Sequence, residues 1–204
     1  MVKTFLLQAF FIPSESMEDT LLKGDRVIVS KLTPGPFDLH RGEVIVFADP
    51  GHWLRESVPT RRGPFGSAVA GALTFAGLLP EDSDDHLIKR VIGLPGDHVV
   101  CTDAQDPVSV DGVAVDESAY LKPGAAPCGT AFDVTVPAQR LWVMGDNRDH
   151  SGDSRCHPDA PYGGFVPVDL VTGRAYAVVW PFSRWAWWGT PGDFDSVTGS
   201  SGVS

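Results

Sequence analysis

Short runs of β-branched and aromatic residues recur along the chain, and most of them alternate with polar positions or end at Gly, Pro or Asp. Alternation with a period of two puts successive side chains on opposite faces of a strand, so these runs predict strands. The predicted strands cover residues 10–12, 26–31, 43–47, 87–92, 98–101, 108–115, 132–136, 141–144 and 175–179. Helical periodicity is weak and confined to residues 17–22 and 68–79. The pattern therefore predicts an all-β fold, mainly antiparallel, with coiled sheets or a partial barrel and few short helices.

The length of 204 residues predicts one domain, residues 1–204, because a chain of this length rarely forms several. Within residues 101–137 the pair Asp111-Gly112 separates two apolar stretches, as in a tight hairpin turn. The predicted parts are a core of residues 1–50, 86–100 and 138–180, an insertion or flap at 51–85, an inserted β subdomain at 101–137, and an aromatic, then disordered, tail at 181–204.

Composition agrees with a folded, turn-rich chain. Hydrophobic residues make up 43% and charged residues 21%, which excludes a disordered or coiled-coil protein. The chain has 22 Gly and 17 Pro among 204 residues, more than the usual ~7% and ~5%. Its net charge of −10 argues against a phosphate-binding surface, so we expect no nucleic-acid partner.

Two apolar segments bear on membranes, although no run of about 20 apolar residues is present. Residues 5–12 are too short for a signal peptide and lack a cleavage site of small residues. Residues 63–80 carry no charge but contain Gly and Pro, which makes them a poor membrane span. They are interpreted either as a flap on the core or as a surface that dips into a membrane.

Candidate chemistry concentrates in three polar clusters that adjoin predicted strands: residues 13–17, 88–97 and 145–155. A serine hydroxyl in the first cluster would need a base to take its proton. Lys89, between Ile88 and Val91, is a candidate because an apolar cleft would lower its pKa. Arg90 would point to the opposite face of that strand. The three cysteines show no CxxC pair and no spacing typical of zinc, and we expect no metal or other cofactor.

These clusters resemble the sequence boxes of bacterial type I signal peptidases, a family of Ser/Lys proteases. The matching segments are IPSESMEDTL at 12–21, RGEVIVFADP at 41–50, LIKRVIGLPGD at 87–97 and VMGDNRDHSGDSR at 143–155, in the order of the family. The resemblance implies that the protein is a serine endopeptidase that removes signal peptides from exported preproteins after an Ala-x-Ala signal.

The resemblance also implies roles for individual residues. Ser16 corresponds to the nucleophile and Lys89 to the general base, while the Ser14 hydroxyl and the Ser16 backbone N–H correspond to an oxyanion hole. Further positions correspond to support of the dyad (Ser151, Asp153), to ion pairs of the site's framework (Asp146, Arg148, Arg90, Arg155) and to shallow substrate pockets (Ile12, Met17, Val46, Ile88). Ile12, Val46 and Ile88 are equally well interpreted as core residues.

Some features depart from the family pattern or leave alternatives open. Asp19 stands where the family usually has proline, and His150 where it commonly has asparagine. His150 with Asp153 and a serine could form a Ser/His/Asp triad, against which the family pattern argues. An exported domain lies in an oxidising compartment, so a disulfide between Cys101 and Cys128 is expected, leaving Cys156 as a free thiol.

The resemblance further implies a protein at the plasma (inner) membrane, with its catalytic part on the extracytoplasmic side. Only residues 1–12 precede the nucleophile box, so we expect a form without the family's N-terminal anchor. Four of the six Trp residues lie in 180–188, either as an apolar contact with the lipid surface or as closure of the core. The expected partners are signal peptides and the membrane surface, and the chain is expected to be a monomer. The alternatives are a self-cleaving repressor-type Ser/Lys protease and a non-catalytic β domain that binds extended peptides.

Overall fold

A computed structural model describes residues 6–35, 37–51, 53, 54, 85–189, 192–194, 196 and 197. The described residues form twelve strands and several single-turn 3₁₀ helices, with no α-helix among them. The strands are β1 (Leu7–Phe11), β2 (Arg26–Ser30), β3 (Val44–Ala48), β4 (His86–Gly93), β5 (His98–Cys101), β6 (Ser109–Val110), β7 (Val113–Ala114), β8 (Phe132–Thr135), β9 (Arg140–Met144), β10 (Val166–Pro167), β11 (Val171–Trp180) and β12 (Ala186–Trp187).

Eight of these strands form one antiparallel sheet, in the order β1-β2-β11-β3-β4-β9-β10, with β12 paired to β11. Strand β4 lies between β3 and β9, and its residues from Leu87 to Gly93 are all buried. In the register with β3, Lys89 pairs with Ile45 and Arg90 with Val44. Lys89 and Arg90 therefore extend to opposite sides of the sheet, as the period of two predicts.

Apolar residues cover both sides of this sheet. On β3, Val44 and Val46 belong to one buried cluster, and Ile45 and Phe47 belong to another. Each fully buried aliphatic or aromatic side chain contributes about 1.5–3 kcal/mol to folding. The alternation of β3 thus stabilises two apolar layers and keeps the neighbouring strand β4 out of water.

Strands β7, β6, β5 and β8 form a second antiparallel sheet. Between β6 and β7, Asp111 and Gly112 have φ values of 52° and 79°, which is the tight hairpin turn predicted there. At Gly93 a Cβ atom would lie 2.6 Å from Val99 and 3.0 Å from Val136, so only glycine allows the two sheets to approach this closely. A disulfide joins Cys101, at the end of β5, to Cys128, with their Cα atoms 6.2 Å apart.

The fold class predicted from the sequence is confirmed: the described chain is mostly antiparallel β. Each predicted strand run contains a strand, although β1 begins three residues earlier than expected and β11 four residues earlier. Residues 17–20 form turns instead of a helix. Strands β10 and β12 were missed because two residues carry no periodic pattern. Residues 63–80 lie outside the described residues, and the division into core, flap and subdomain stays a prediction.

We predict that the unreduced protein carries one reactive thiol, Cys156, because Cys101 and Cys128 are bonded. Replacing both bonded cysteines by serine should lower the free energy of unfolding by about 3–4 kcal/mol, the loop-closure value for a crosslink of this span. Thiol titration under denaturing conditions and urea unfolding measure the two quantities. Three titratable thiols in the unreduced protein would contradict the pairing.

Candidate active site

The geometry of Ser16 and Lys89 is the central feature of the candidate site. Ser16 lies in the turns that follow β1, and Lys89 lies in the middle of β4. Lys89 Nζ is 2.6 Å from Ser16 Oγ and 3.0 Å from the Ile88 carbonyl oxygen. Both side chains are buried, with exposures of 4% for Ser16 and 3% for Lys89. The fold thus brings a hydroxyl and an amine, 73 positions apart in sequence, into direct contact away from bulk water.

Burial changes the acidity of this lysine. Desolvation lowers the pKa of Lys89 from 10.5 to about 8, against the opposing charges of Asp153 and Asp146. Arg155 also acts to lower this pKa. A sizeable neutral fraction of Lys89 is therefore present at mildly alkaline pH, which is the form that can accept a proton from Ser16.

The backbone of the Ser16 turn is held by Asn147. The Asn147 backbone N–H donates to the Ser16 carbonyl oxygen at 3.1 Å, and its side-chain amide donates to the Glu15 carbonyl oxygen at 3.0 Å. Neighbouring Gly145 lies so close that a Cβ atom there would meet the Ser16 carbonyl and the Ser151 hydroxyl. The absence of a side chain at position 145 is therefore a condition for the close packing of the two segments.

Ser14 lies beside the same hydroxyl, since its Oγ is 3.3 Å from Ser16 Oγ. Unlike Ser16, Ser14 is exposed to solvent. It is therefore accessible from solvent while its hydroxyl remains next to Ser16 Oγ. This position suits a hydrogen-bond donor to negative charge that develops on an oxygen atom close to Ser16 Oγ.

Asp153 is completely buried and is paired with Arg155 through two hydrogen bonds of 2.8 Å. It also accepts the Gly145 backbone N–H at 3.0 Å. Burial alone would raise the pKa of Asp153, but Arg155 and this N–H outweigh it and hold the pKa below its usual value. The carboxylate thus stays charged and acts on Lys89 through its field. The Ser151 hydroxyl is also buried and has no hydrogen bond of good geometry within the described part of the chain.

A second buried pair links the lysine strand to the 145–155 segment. Arg90 donates to both Asp146 oxygens, at 2.8 and 2.6 Å, and to the Gly42 carbonyl oxygen at 2.6 Å. Thr20, from the turn after Ser16, donates to the same carboxylate at 2.5 Å. Because every partner is satisfied, this buried pair orients three segments without leaving an isolated charge.

Three residues of this network were not identified from the sequence: Glu117, Tyr120 and Lys122. Glu117 pairs with Arg148, the Tyr120 ring lies 4.0 Å from the Arg90 guanidinium carbon, and Lys122 pairs with Glu18 at 2.8 Å. They come from the loop between β7 and β8. Glu, Tyr and Lys in a loop carry no distinctive pattern, so no signal in one sequence could have found them.

The four residues expected at substrate pockets lie together. Ile12, Met17, Val46 and Ile88 belong to one apolar cluster beside the Ser16 turn, and all are at most 6% exposed. Ile88 is the most exposed of them. The arrangement is compatible with a pocket wall and with core packing.

The alternative triad has little geometric support. His150 Nδ1 lies 3.4 Å from the Asn147 side-chain oxygen. The Asp153 carboxylate instead accepts hydrogen bonds from Arg155 and from the Gly145 backbone N–H.

Within the described residues no group of His, Cys, Asp and Glu side chains has the arrangement of a metal site. None of the described helices is long and apolar enough to cross a membrane.

Comparison with known proteins finds similarity to signal peptidases in every case described below. The sequence model of the family described as "Signal peptidase, peptidase S26" matches residues 1–180. The chain is 41% identical over 210 residues to the probable signal peptidase I of Mycobacterium leprae, covering 89% of this chain and 71% of that protein. It is 42% identical over 202 residues to signal peptidase I of Mycobacterium tuberculosis H37Rv, covering 89% and 68%. The probable signal peptidase I-2 of Synechocystis is 36% identical over 183 residues, covering 90% and 67%. With a family match over most of its length, the chain belongs to the signal peptidase family, peptidase S26.

Proposed function

We propose that the protein is a signal peptidase I that cleaves signal peptides from exported preproteins, with Ser16 as nucleophile and Lys89 as general base. Membership of the S26 family supports the reaction. The observation that carries the assignment of residues is the 2.6 Å contact between two buried side chains, a hydroxyl and an amine with a lowered pKa. A weak nucleophile next to a neutral base is the arrangement that acyl transfer requires.

The reaction proceeds in two halves. Ser16 Oγ attacks the scissile carbonyl carbon while its proton passes to neutral Lys89. The resulting ammonium then gives that proton to the leaving amine, so that the C–N bond breaks and an ester forms on Ser16. In the second half, Lys89 takes a proton from water and the hydroxide attacks the ester carbonyl carbon. The acyl C–O bond to Ser16 Oγ then breaks, the Lys89 ammonium returns the proton to Ser16 Oγ, and the acyl group leaves as a free carboxylic acid.

Charge on the substrate oxygen needs stabilisation in both halves. The Ser14 hydroxyl, 3.3 Å from Ser16 Oγ, and the Ser16 backbone N–H are the proposed donors. A donor of this kind contributes on the order of 3–4 kcal/mol in a preorganised site. Asp153 supports the ammonium that forms on Lys89, because its charge raises the pKa of this group.

The substrate is proposed to be an extended peptide with small residues at the −1 and −3 positions. Strand β1 is the terminal strand of the eight-stranded sheet and leads directly to the Ser16 turn, so an extended peptide can add along it. Ile12, Met17, Val46 and Ile88 would line the pockets. A wall of such buried apolar side chains would favour alanine over bulkier groups.

The membrane surface is proposed as the second partner, through four exposed aromatic residues: Trp180 (44% exposed), Phe182 (69%), Trp185 (56%) and Trp187 (71%). Trp180 and Phe182 contact each other, as do Phe182 and Trp185. Tryptophan prefers the interface of a bilayer, and the net charge of −10 gives no attraction to anionic lipid, so the contact is apolar. This surface would hold the catalytic part against the extracytoplasmic face.

We predict that Ser16→Ala and Lys89→Met each lower kcat at least about 10³-fold, because either change removes half of the nucleophile–base pair. Cleavage of a peptide with Ala at −1 and −3, followed by mass spectrometry of the products, measures the effect. Ser118→Ala and Lys31→Met, at exposed positions, are the matched controls.

The melting temperature separates loss of chemistry from loss of folding. Lys89 has a lower pKa folded than unfolded, so stability rises with pH between about 8 and 10.5, and at pH 7 the buried ammonium destabilises the fold. Lys89→Met should therefore melt no lower than the wild type at pH 7. Retained cleavage in either dyad variant would refute the assignment.

We predict that kcat/KM rises with pH as a single ionisation near pH 8 and then reaches a plateau. The base works only when neutral, so the rate falls as pH drops below the pKa of Lys89, which is about 8. Initial rates on the same peptide between pH 6 and 10 measure the profile. His150→Ala should leave the profile unchanged, whereas a profile that changes in this variant would favour the histidine triad.

We predict that the double substitution Trp185→Ala and Trp187→Ala weakens binding to phosphatidylcholine vesicles about tenfold or more, because the apolar area that enters the interface is lost. Co-sedimentation measures the binding. Tyr162→Ala is the control, since Tyr162 is exposed but contacts Arg140 of β9, at the other end of the sheet. Equal binding of both variants would remove this surface from consideration.

A further inference from the structure

The loop between β7 and β8 contains a segment, residues 117–128, that contacts each of the three sequence segments that form the candidate site. Lys122 binds the turn that follows Ser16, through Glu18. Tyr120 lies on Arg90, the neighbour of Lys89. Glu117 binds Arg148 of the 145–155 segment. None of these contacts belongs to the chemical steps, yet together they join the three sequence segments that carry the chemistry.

The contact between Glu117 and Arg148 is the most direct of them. The Glu117 carboxylate is buried and accepts from both terminal nitrogens of Arg148 and from the Tyr120 hydroxyl, the last at 2.9 Å. Arg148 in turn donates through Nε to the Gly145 carbonyl oxygen at 2.9 Å. Gly145 packs against the Ser16 carbonyl with no space for a side chain. A continuous path of contacts therefore runs from Glu117 to the backbone of Ser16.

Backbone groups of the same segment complete the path. The Lys122 N–H donates to the Asp146 carbonyl oxygen at 3.0 Å. The Pro127 carbonyl accepts from Arg148, and the Cys128 carbonyl accepts from Arg155 at 2.6 Å. Cys128 is bonded to Cys101 of β5. The segment is thus anchored to the second sheet at one end and holds two arginines of the site.

Charge balance gives Glu117 a second effect. Arg90 is paired with Asp146, Arg155 with Asp153 and Arg148 with Glu117. Without the Glu117 charge, buried Arg148 would lose its paired carboxylate, and its remaining interaction with an acidic group would be the field of Asp153. Asp153 is already paired with Arg155 and also acts on Lys89. The titratable groups that interact with Lys89 are Asp153, Asp146, Arg155, Cys156 and His157. Because Asp153 interacts with both Lys89 and Arg148, a change at Arg148 reaches Lys89 through Asp153.

We propose that Glu117 and Tyr120 are positioning residues for the Ser16–Lys89 dyad, which act through Arg148 and Arg90 on the placement of Gly145 and on the charge around Lys89. This deepens the proposed function and rests on it for the reaction that is measured. The second sheet therefore serves the chemistry of the first sheet, in addition to packing against it.

The test compares Glu117→Gln with Asp116→Asn. Both remove one carboxylate from the same turn, but Asp116 is exposed and its contact is the Ser118 N–H. For Glu117→Gln we expect kcat to fall about tenfold with KM within about twofold, since the dyad and not the substrate site is disturbed. The midpoint of the acid limb of the pH profile should shift to lower pH by about half a unit, because the charge of Arg148 is no longer balanced by Glu117. Asp116→Asn should change none of these quantities, because solvent screens its charge.

Two further variants separate positioning from folding. Glu117→Asp keeps the negative charge, so the midpoint of its acid limb should equal that of the wild type. Its kcat should lie between those of Glu117→Gln and the wild type. Tyr120→Phe keeps the ring on Arg90 and loses the bond to Glu117, and should lower kcat by about threefold with an unchanged limb. All variants are measured at a temperature where thermal unfolding shows them fully folded. A Glu117→Gln enzyme with wild-type kcat and pH profile would overturn the proposal.

A readout without substrate keeps the two proposals distinguishable. The ¹³Cε chemical shift of Lys89, assigned by comparison with Lys89→Met, reports its titration directly by NMR. If the wild type fails to cleave the peptide, the proposed function falls, while the Lys89 titration still decides whether Glu117 acts on the base. Equal titration midpoints in Glu117→Gln and Asp116→Asn would refute the positioning role.

Discussion

Burial of an amine is the constraint on which the rest of the site depends. Lys89 is removed from water in the middle of β4, and the cost of holding an ammonium there lowers its pKa to about 8. The same burial would make the pKa fall further if no opposing charge were present. Asp153 and Asp146 limit the fall, so that the group can lose a proton and also carry one. A base that works in both directions needs this intermediate acidity.

The acidic groups near Lys89 are themselves buried, which creates a second requirement. An unpaired carboxylate in such a place would be protonated or would destabilise the fold. Arg155 and Arg90 pair with Asp153 and Asp146 through two hydrogen bonds each, and Arg148 is paired with Glu117. The network therefore extends outward from Lys89 until its outer members reach the loop between β7 and β8. This extension explains why a loop of the second sheet lies against the segments of the candidate site.

Much of the fold was accessible from the sequence, because short strands with buried faces leave a strong local pattern. The run around Lys89 and the Asp111-Gly112 turn were predicted where the structure has them. Strands β10 and β12 were missed because two-residue strands exist only through their partners, Leu141 and Arg140 for β10 and Ala177 and Val178 for β12. The candidate dyad came from motif resemblance, since a serine and a lysine far apart in sequence predict no contact.

The sequence by itself determined the strand content, the tight turn and the residue types that could act as nucleophile and base. These depend on side-chain alternation and on local backbone preference, which act over a few residues. Only the tertiary structure decided that Lys89 is desolvated beside Ser16, that Asp153 is paired with Arg155, and that Glu117 and Tyr120 belong to the same network. Desolvation and charge pairing are properties of everything that surrounds a group in space, and those surroundings come from segments that are distant along the chain.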